Sequence, residues 1–392
     1  MGALIQNTVF GKSKYKPFIS TWKTDNLSTG SSQINQIKLP LTAGGIYNFS
    51  VDWGDGTVSR ITSWNQAEAT HTFSNVGIYQ VIITGKCDGF IFRGTGDKMK
   101  LMTIQRWGSF FFTINGSAFD GCVNLTLTNV EDIPELKMVR GLSFTFRDCI
   151  SLTTINHLEL WDTSNIRGMT GLFQGAKSFN QDIGGWNVVS VENMIRMFDE
   201  ATNFDNGGSS SINNWNTSKV VLMEGMFNGC KIFNQDISNW NTSTVINMGT
   251  MFSDCLSFNQ PIGGWDTSKV TDMRTMFNSA KSFNQPIDSW DVNNVNNMKA
   301  MFYNALNFDQ NIGNWNVSNV INFKDFMKTK TPTTFSAVHL DALYNGWSTR
   351  ILKANLEIDF GSSKYTSGSA ASRAVLTSAP NNWVIKDGGQ TT

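Results

Sequence analysis

The chain has 392 residues, with 31 Lys plus Arg against 31 Asp plus Glu, 40% apolar and 12% aromatic residues, and only 16% charged ones. Balanced, scattered charge excludes a surface built for a polyanion such as nucleic acid, and no window reaches the roughly 18 apolar residues that a membrane-spanning helix needs. The apolar content suffices for a continuous core, and the surface must be covered largely by uncharged Asn, Ser, Thr, Gln and Gly.

Residues 1–16 read as a polar leader. Gln6 and Asn7 break its short apolar stretch, so no secretory signal is expected and the chain is expected to be made in a cytoplasm. Gln6 also stands where a myristoylation motif needs Ser or Thr, and Lys12, Lys14 and Lys16 form the one local basic cluster. From 17 to 86 the text changes to short alternating runs, INQIKLPL, YNFSVDW and IYQVIITG, separated by Gly and Asn turns, which predicts a small all-β sandwich. Within it, VDWGDGT at 51–57 is turn chemistry between two strands.

The GDG turn followed by His71, Phe73, Gly77, Tyr79 and Val81 resembles the PKD type of immunoglobulin-like domain over about 70 residues. Such a resemblance implies a spacer or adhesive module. Calcium at Asp52 and Asp55 fits only part of any cation-loop spacing.

Residues 87–330 are predicted to be repeats. Phe119, Phe146 and Phe173 lie 27 residues apart in irregular early copies. The tryptophans Trp161, Trp186, Trp215, Trp240, Trp265, Trp290 and Trp315 then follow at spacings of 25, 29, 25, 25, 25 and 25. A period of that length signals stacked units that cannot bury their apolar face alone. In residues 266–290, Val270, Met273, Phe277 and Ala280 fall at steps of three and four, which predicts a short helix, with Asp266, Thr267 and Ser268 as its N-cap candidates. Phe283, Ile287 and Trp290 then predict a short strand. The expected fold is therefore an α/β repeat solenoid of the leucine-rich-repeat kind, about 25 residues per coil, preceded by the β-sandwich and closed by an α/β cap.

Cys122, Cys149, Cys230 and Cys255 occupy the slot that holds Ala176, Ala201, Ala280 and Ala305 in other copies, which predicts a small buried position rather than a disulfide framework. The methionine row Met169, Met194, Met223, Met248, Met273 and Met298 is read as core, and the tryptophan column as core or edge packing rather than a sugar platform. The 29-residue interval comes from an insertion at 204–215, FDNGGSSSINNW, whose Gly and Ser predict an exposed loop. Residues 331–392 predict a cap of helix (AVHLDALYNGWSTRIL), strand (NLEIDFG), helix (SAASRAVLTS) and strand (NNWVIKDGG).

The recurring phrase F-x-x-C/A-x-x-F-N-Q-x-I, followed by W-[ND]-[TV]-S-x-V-x-x-M, is similar to the BspA-like branch of the leucine-rich repeats over roughly residues 110–330. The tail, LDALYNGWSTR with SAASRAVLTSAPNNWVIKDGG, looks like the closing segment of such repeats in phage and environmental bacterial proteins. That branch implies surface antigens of bacteria and mycoplasmas and proteins of protists, large viruses and bacteriophages.

His71, His157 and His339 are dispersed, and no G-x-S-x-G, H-E-x-x-H or Walker sequence is present, so no catalytic residue, metal site or cofactor is expected. Asp182, Asp205, Asp236, Asp266, Asp288 and Asp309 recur with the repeat, whereas catalysis needs one asymmetric constellation. The sequons at Asn216 and Asn241 are read as incidental.

Expected function is a non-enzymatic virion structural protein of a bacteriophage, in a fibre, tail or capsid decoration, exposing the repeats for host-surface attachment. Its expected partners are other virion proteins through the N-terminal region and a host cell-surface glycan or protein, with homo-oligomers allowed and neither nucleic acid nor membrane insertion. The alternatives are a bacterial cell-surface adhesin and a glycan-cleaving spike enzyme. Candidate ligand contacts are the exposed variable positions Asp288 and Ser289 and the inserted loop Asn206, Gly207, Gly208, Ser209, Ser210 and Ser211.

Overall fold

A computed structural model describes residues 14–112 and 116–391, so most of the expected polar leader, including Gln6 and Lys12, lies outside the described residues. Two compact units make up the chain, Met1–Trp186 and Asn187–Thr392.

The first unit opens on a five-stranded antiparallel sheet in the order β4-β3-β6-β1-β7, with a separate two-stranded ribbon, β2-β5. The strands are β1 (Phe18–Lys23), β2 (Gln36–Lys38), β3 (Leu41–Asp52), β4 (Val58–Ile61), β5 (Thr70–Thr72), β6 (Ile78–Phe90) and β7 (Leu101–Arg106). Alternation selects the faces. In β1, Phe18, Ser20 and Trp22 are buried while the residues between them are half-buried. The WGDGT segment turns β3 into β4, with the Trp53 amide donating to Thr57 O at 3.1 Å and Gly54 at φ +83°. A side chain at Gly54 would also overlap the Gln80 carbonyl, so glycine is required twice over. Trp53 stacks on His71 at 4.9 Å, and Phe73 stacks on Tyr79 at 3.8 Å, joining ribbon to sheet.

Beyond β7 the first copies of the repeat add on through single parallel bridges, Thr103 to Thr126, Leu127 to Ile155 and Gly141 to Gly168. Their phenylalanines form a file: the Phe119 and Phe146 rings are 5.9 Å apart, and Phe146 and Phe173 are 5.7 Å apart.

In the second unit the repeats are regular, and here the structure overturns the expected α/β solenoid. The 25-residue copies contain no α-helix and no strand, but runs of turns joined to the next copy by isolated bridges: Asn193, Leu222, Asn247, Asp272, Asn297 and Asn322, each to the next. The only sheets among the described residues are the small ones named here. The cause lies in the backbone. Thr250 and Asp254, Thr275 and Ser279, and Ala300 and Asn304 have φ between +50° and +62°, and the glycines in the equivalent slots, Gly225 (+61°) and Gly229 (+72°), are left-handed too. A left-handed residue every fourth position breaks the i to i−4 ladder that defines a helix.

Backbone donors are satisfied in another way. The amides of Met248, Thr250, Phe252 and Asp254 donate forward to Asp272, Arg274, Met276 and Asn278 of the next copy, at 3.1, 2.8, 2.9 and 2.7 Å. Between them Met251, Ser253 and Cys255 donate three residues back, at 3.2, 3.1 and 3.2 Å. Every second peptide thus holds the local turn while its neighbour holds the stack, which leaves few orphan groups in the buried interior.

Side chains fill the stack in columns. The methionines Met223, Met248, Met273 and Met298 are wholly buried, and two phenylalanine files run beside them, with Phe233, Phe258, Phe283 and Phe308 at 5.9–6.0 Å intervals. Four buried tryptophans donate the indole N–H to a carbonyl of the previous copy: Trp240 to Ile212, Trp265 to Ile237, Trp290 to Ile262 and Trp315 to Ile287, at 2.9–3.2 Å.

The unit ends on helix α1 (Ala337–Trp347), strand β8 (Glu357–Asp359), helix α2 (Ala370–Thr377) and strand β9 (Val384–Lys386), β8 and β9 being parallel. Helix α1 continues the tryptophan column, because Trp347 donates to Ile312 O at 3.2 Å. Gly346 lies against Gly313 so closely that a Cβ would overlap the Gly313 carbonyl. The Cys/Ala column ends in Lys330, whose buried ammonium donates to the carbonyls of Ala305, Leu306, Phe308 and Thr334. Burial pushes this lysine down to about 7. It terminates the stack by satisfying carbonyls that have no further repeat to accept from.

Candidate functional site

The surface of the second unit is set by the recurring Phe-Asn-Gln phrase. Asn259 Oδ1 accepts from the Asn284 amide at 2.9 Å and from Gln285 Nε2 at 3.2 Å. Asn234 does the same for Asn259 and Gln260, and Asn284 for Asp309 and Gln310. This asparagine ladder runs along an exposed edge and takes over bonds that a strand would make with backbone alone. At its end Asp309 accepts from the Ser336 amide at 2.9 Å and pairs with His339 Nδ1 at 2.7 Å, joining the ladder to the start of α1. Burial raises the Asp309 carboxyl, but the bonds from Ser336 and His339 outweigh it and hold the group below its ordinary range. Ser336, His339 and Asp309 do not form a nucleophilic triad, since serine and carboxylate meet the same ring nitrogen.

A second polar row follows each tryptophan. Asn216, Asn241, Asp266, Asp291 and Asn316 accept from the amide two residues on, at 2.9–3.3 Å, so the expected N-caps are Asx turns instead. Bonds from Ser268 hold Asp266 below the usual carboxylate range. Both sequon asparagines therefore have turn roles. The polar rows that composition assigns to solvent are in large part clamps between copies.

Of the candidate contacts, Asn206 is buried, and its Nδ2 donates to Ser209 O at 2.7 Å and Ser211 Oγ at 3.1 Å. It staples the insertion, which folds as two 3-10 turns, Asn206–Gly208 and Ser210–Asn214. Gly207, Gly208 and Ser210 are exposed, while Ser209 and Ser211 are half-buried. Asp288 and Ser289 are exposed, but Ser289 Oγ donates to Gly263 O at 2.7 Å. Three repeats separate the loop from Asp288, so the two candidates do not converge. The reading by residue type missed the ladder and Lys330; the recurrence of Asn-Gln at 180–181, 234–235, 259–260 and 284–285 within a variable surface was the available signal.

The described residues contain no group of three or more His, Cys, Asp or Glu able to hold a metal ion. At the GDG turn, Asp52 accepts from the Gly54 amide at 2.9 Å, and Asp55 is engaged by Thr57 and by His71 Nε2 at 2.8 Å. Burial raises Asp55, but bonds from Thr57 and His71 more than offset it and lower the group overall. These carboxylates serve the turn. A cavity of about 90 Å³ lies between β7 and Thr126–Asn129, lined by Thr103, Gln105 and Thr128 among others. No helix among the described residues is long and apolar enough to cross a membrane.

Against known proteins, a family described as "Mycoplasma protein of unknown function, DUF285" matches residues 116–211, 206–305 and 248–337, more than half of the chain. The matches coincide with the repeats and extend to neither residues 17–86 nor most of residues 331–392. No curated protein and no solved structure matches the chain.

Proposed function

From the premise that this chain belongs to the DUF285 repeat family, we propose that it is a non-enzymatic attachment protein whose repeats are displayed on the outside of a particle or cell. The observation that carries this reading is the repetition itself. The same buried columns recur copy after copy, so each copy sets out its exposed, variable positions in register with those of the next, and contacts made there accumulate along the row. Weak contacts to a surface glycan or protein then multiply by copy number. An active site needs one asymmetric group of residues, and the polar rows that recur here are engaged in turns and in bonds between copies.

The finer version places the repeats on a bacteriophage virion, with the N-terminal sheet bound to other virion proteins; its support is the likeness of residues 340–350 and 369–389 to phage-type closing segments. A second version places them on a bacterial envelope, and the family's description as Mycoplasma proteins is compatible with it. Immunogold electron microscopy of source cells and particles with antibody against residues 87–330 separates them. Label on virions supports the first, label on envelopes alone supports the second, and label confined to the cell interior overturns both.

A further inference from the structure

The column that ends in Lys330 reads, in order, Cys122, Cys149, Ala176, Ala201, Cys230, Cys255, Ala280, Ala305. Alanine satisfies the packing in half of the copies, so sulfur is not needed to fill the slot, and sulfur occurs only in neighbouring copies, two by two. All four thiols are wholly buried and free; Cys87 in β6, which has no counterpart in the column, is also free and is 7% exposed.

Register places the members of each pair side by side. The Phe119 and Gly121 amides donate to Thr145 and Arg147, at 3.0 and 2.7 Å, and the Phe227 and Gly229 amides donate to Met251 and Ser253, at 3.0 and 2.8 Å. Parallel backbones bonded in this way lie roughly 4.8 Å apart, inside the Cα separation of about 4.4–6.8 Å that a disulfide spans. The sulfurs lean the right way. Cys149 Sγ donates to Phe119 O at 3.2 Å, the same carbonyl that accepts the Cys122 amide at 3.0 Å. Cys255 Sγ donates to Phe227 O at 2.8 Å, which also accepts the Cys230 amide at 3.0 Å. Each later thiol is therefore held against the backbone of the earlier cysteine. Cys230 is bonded to Phe198 O at 3.0 Å and needs to leave it and turn about its Cα–Cβ bond.

We propose that Cys122 with Cys149, and Cys230 with Cys255, are paired sites for inter-repeat disulfides, closed when the chain meets a small disulfide oxidant such as oxidised glutathione. As neighbouring copies part transiently, one thiol loses its proton and attacks a sulfur of the oxidant, expelling one glutathione thiolate and forming a mixed disulfide. The neighbouring thiolate then attacks the protein sulfur and expels the second glutathione. The protein loses two electrons and two protons per pair, and the oxidant becomes two reduced thiols. Desolvation holds these thiols well above their ordinary pKa, so the closed stack resists the reaction and opening sets its rate. The proposal is independent of the attachment reading.

The test is a redox equilibration of the full chain in a glutathione buffer with enough urea to open copies transiently, followed by removal of urea, alkylation and non-reducing peptide mapping. Expected are two linkages, 122–149 and 230–255, a mass loss of about 2 Da each, Cys87 as the one alkylated residue, and a thermal midpoint several degrees higher that dithiothreitol reverses. Cys255→Ala and Cys149→Ala keep the packing that Ala280 shows to be sufficient, and each should abolish one linkage and leave the other. Five alkylated cysteines at equilibrium, glutathione adducts in place of linkages, or crossed pairs involving Cys87 would overturn the proposal.

Discussion

Trp161 and Trp186 offer a matched pair for weighing the hydrogen bond that builds the tryptophan column. Both lie in the first unit, and both are 4% exposed. Trp186 donates its indole N–H to Leu158 O at 3.1 Å, whereas the Trp161 N–H is buried without a partner. Replacing either by Phe removes a ring fragment and its contacts, a loss of about 1–2 kcal/mol on the scale of core truncations. For Trp186 the lost bond adds about 1 kcal/mol, since Leu158 O keeps its bond from the Trp161 amide at 3.2 Å. For Trp161 the substitution removes an unpaired donor whose burial costs about 1–3 kcal/mol, so the two effects nearly cancel. Trp186→Phe is expected to cost about 2–3 kcal/mol and Trp161→Phe about zero. In a unit of this size a 2 kcal/mol difference is roughly 4–8 °C in Tm. Urea denaturation followed by far-ultraviolet circular dichroism measures both. Equal losses, or the larger loss at Trp161, would refute the reasoning that the indole bond rather than ring volume fixes the column.

Three further outcomes follow from the same geometry. Gly346→Ala gains roughly 1 kcal/mol of helix propensity but drives a Cβ into the Gly313 carbonyl; a net loss of about 1–2 kcal/mol, with proteolysis beginning in residues 331–392, is expected, and a stabilised variant would show that α1 does not seat on the last copy this way. Ala300→Gly tests the backbone directly, because a helical alanine would lose about 1 kcal/mol while one at φ +50° should lose nothing measurable or gain slightly; a full helical penalty in urea melts would count against the left-handed slot. For Lys330, depressed to about 7 in the fold, the unfolded chain binds more protons between there and the ordinary lysine value of 10.5, so unfolding free energy rises with pH across that window and is lost as pH falls through about 7. The slope is at most about 1.4 kcal/mol per pH unit; subtracting the Lys330→Met profile isolates it, and a flat or falling difference from pH 7 to 10 would contradict it.

Much of the molecule was legible because burial is periodic whatever the backbone does. The tryptophan, methionine and phenylalanine columns, the small slot at Cys122 and its equivalents, and the helices and strands between Ala337 and Lys386 follow from apolar spacing and local chemistry. The conformation of the repeat did not. Steps of three and four at Val270, Met273, Phe277 and Ala280 suit a helix, but they equally suit consecutive turns that point every third or fourth side chain inward, and spacing alone carries no sign of φ. The discriminating residues were Gly225 and Gly229, in slots held elsewhere by Thr275 and Ser279; reading all copies as samples of one backbone position would have exposed a left-handed site that the non-glycine copies conceal.

The candidate site failed to converge for a related reason. Exposure was inferred from polarity, yet in a stack without strands the polar side chains must hold neighbouring copies together. Asn206 closes its own loop, Ser289 reaches back to Gly263, and the Asn-Gln pairs bind copy to copy, so the most repeated polar residues are those least free to meet a ligand. On the attachment proposal, contact with a partner would fall to positions that vary among copies and make no such bond. The slot of Thr271 shows the division: Thr271 Oγ1 donates to Ile246 O at 3.1 Å, while Ile246 and Ile321, in the same slot, are 41% and 61% exposed and carry side chains that can make no clamp. Selection for stacking accounts for threonine there but not for exposed isoleucine, and that contrast separates the rim that builds the protein from the rim left free to bind.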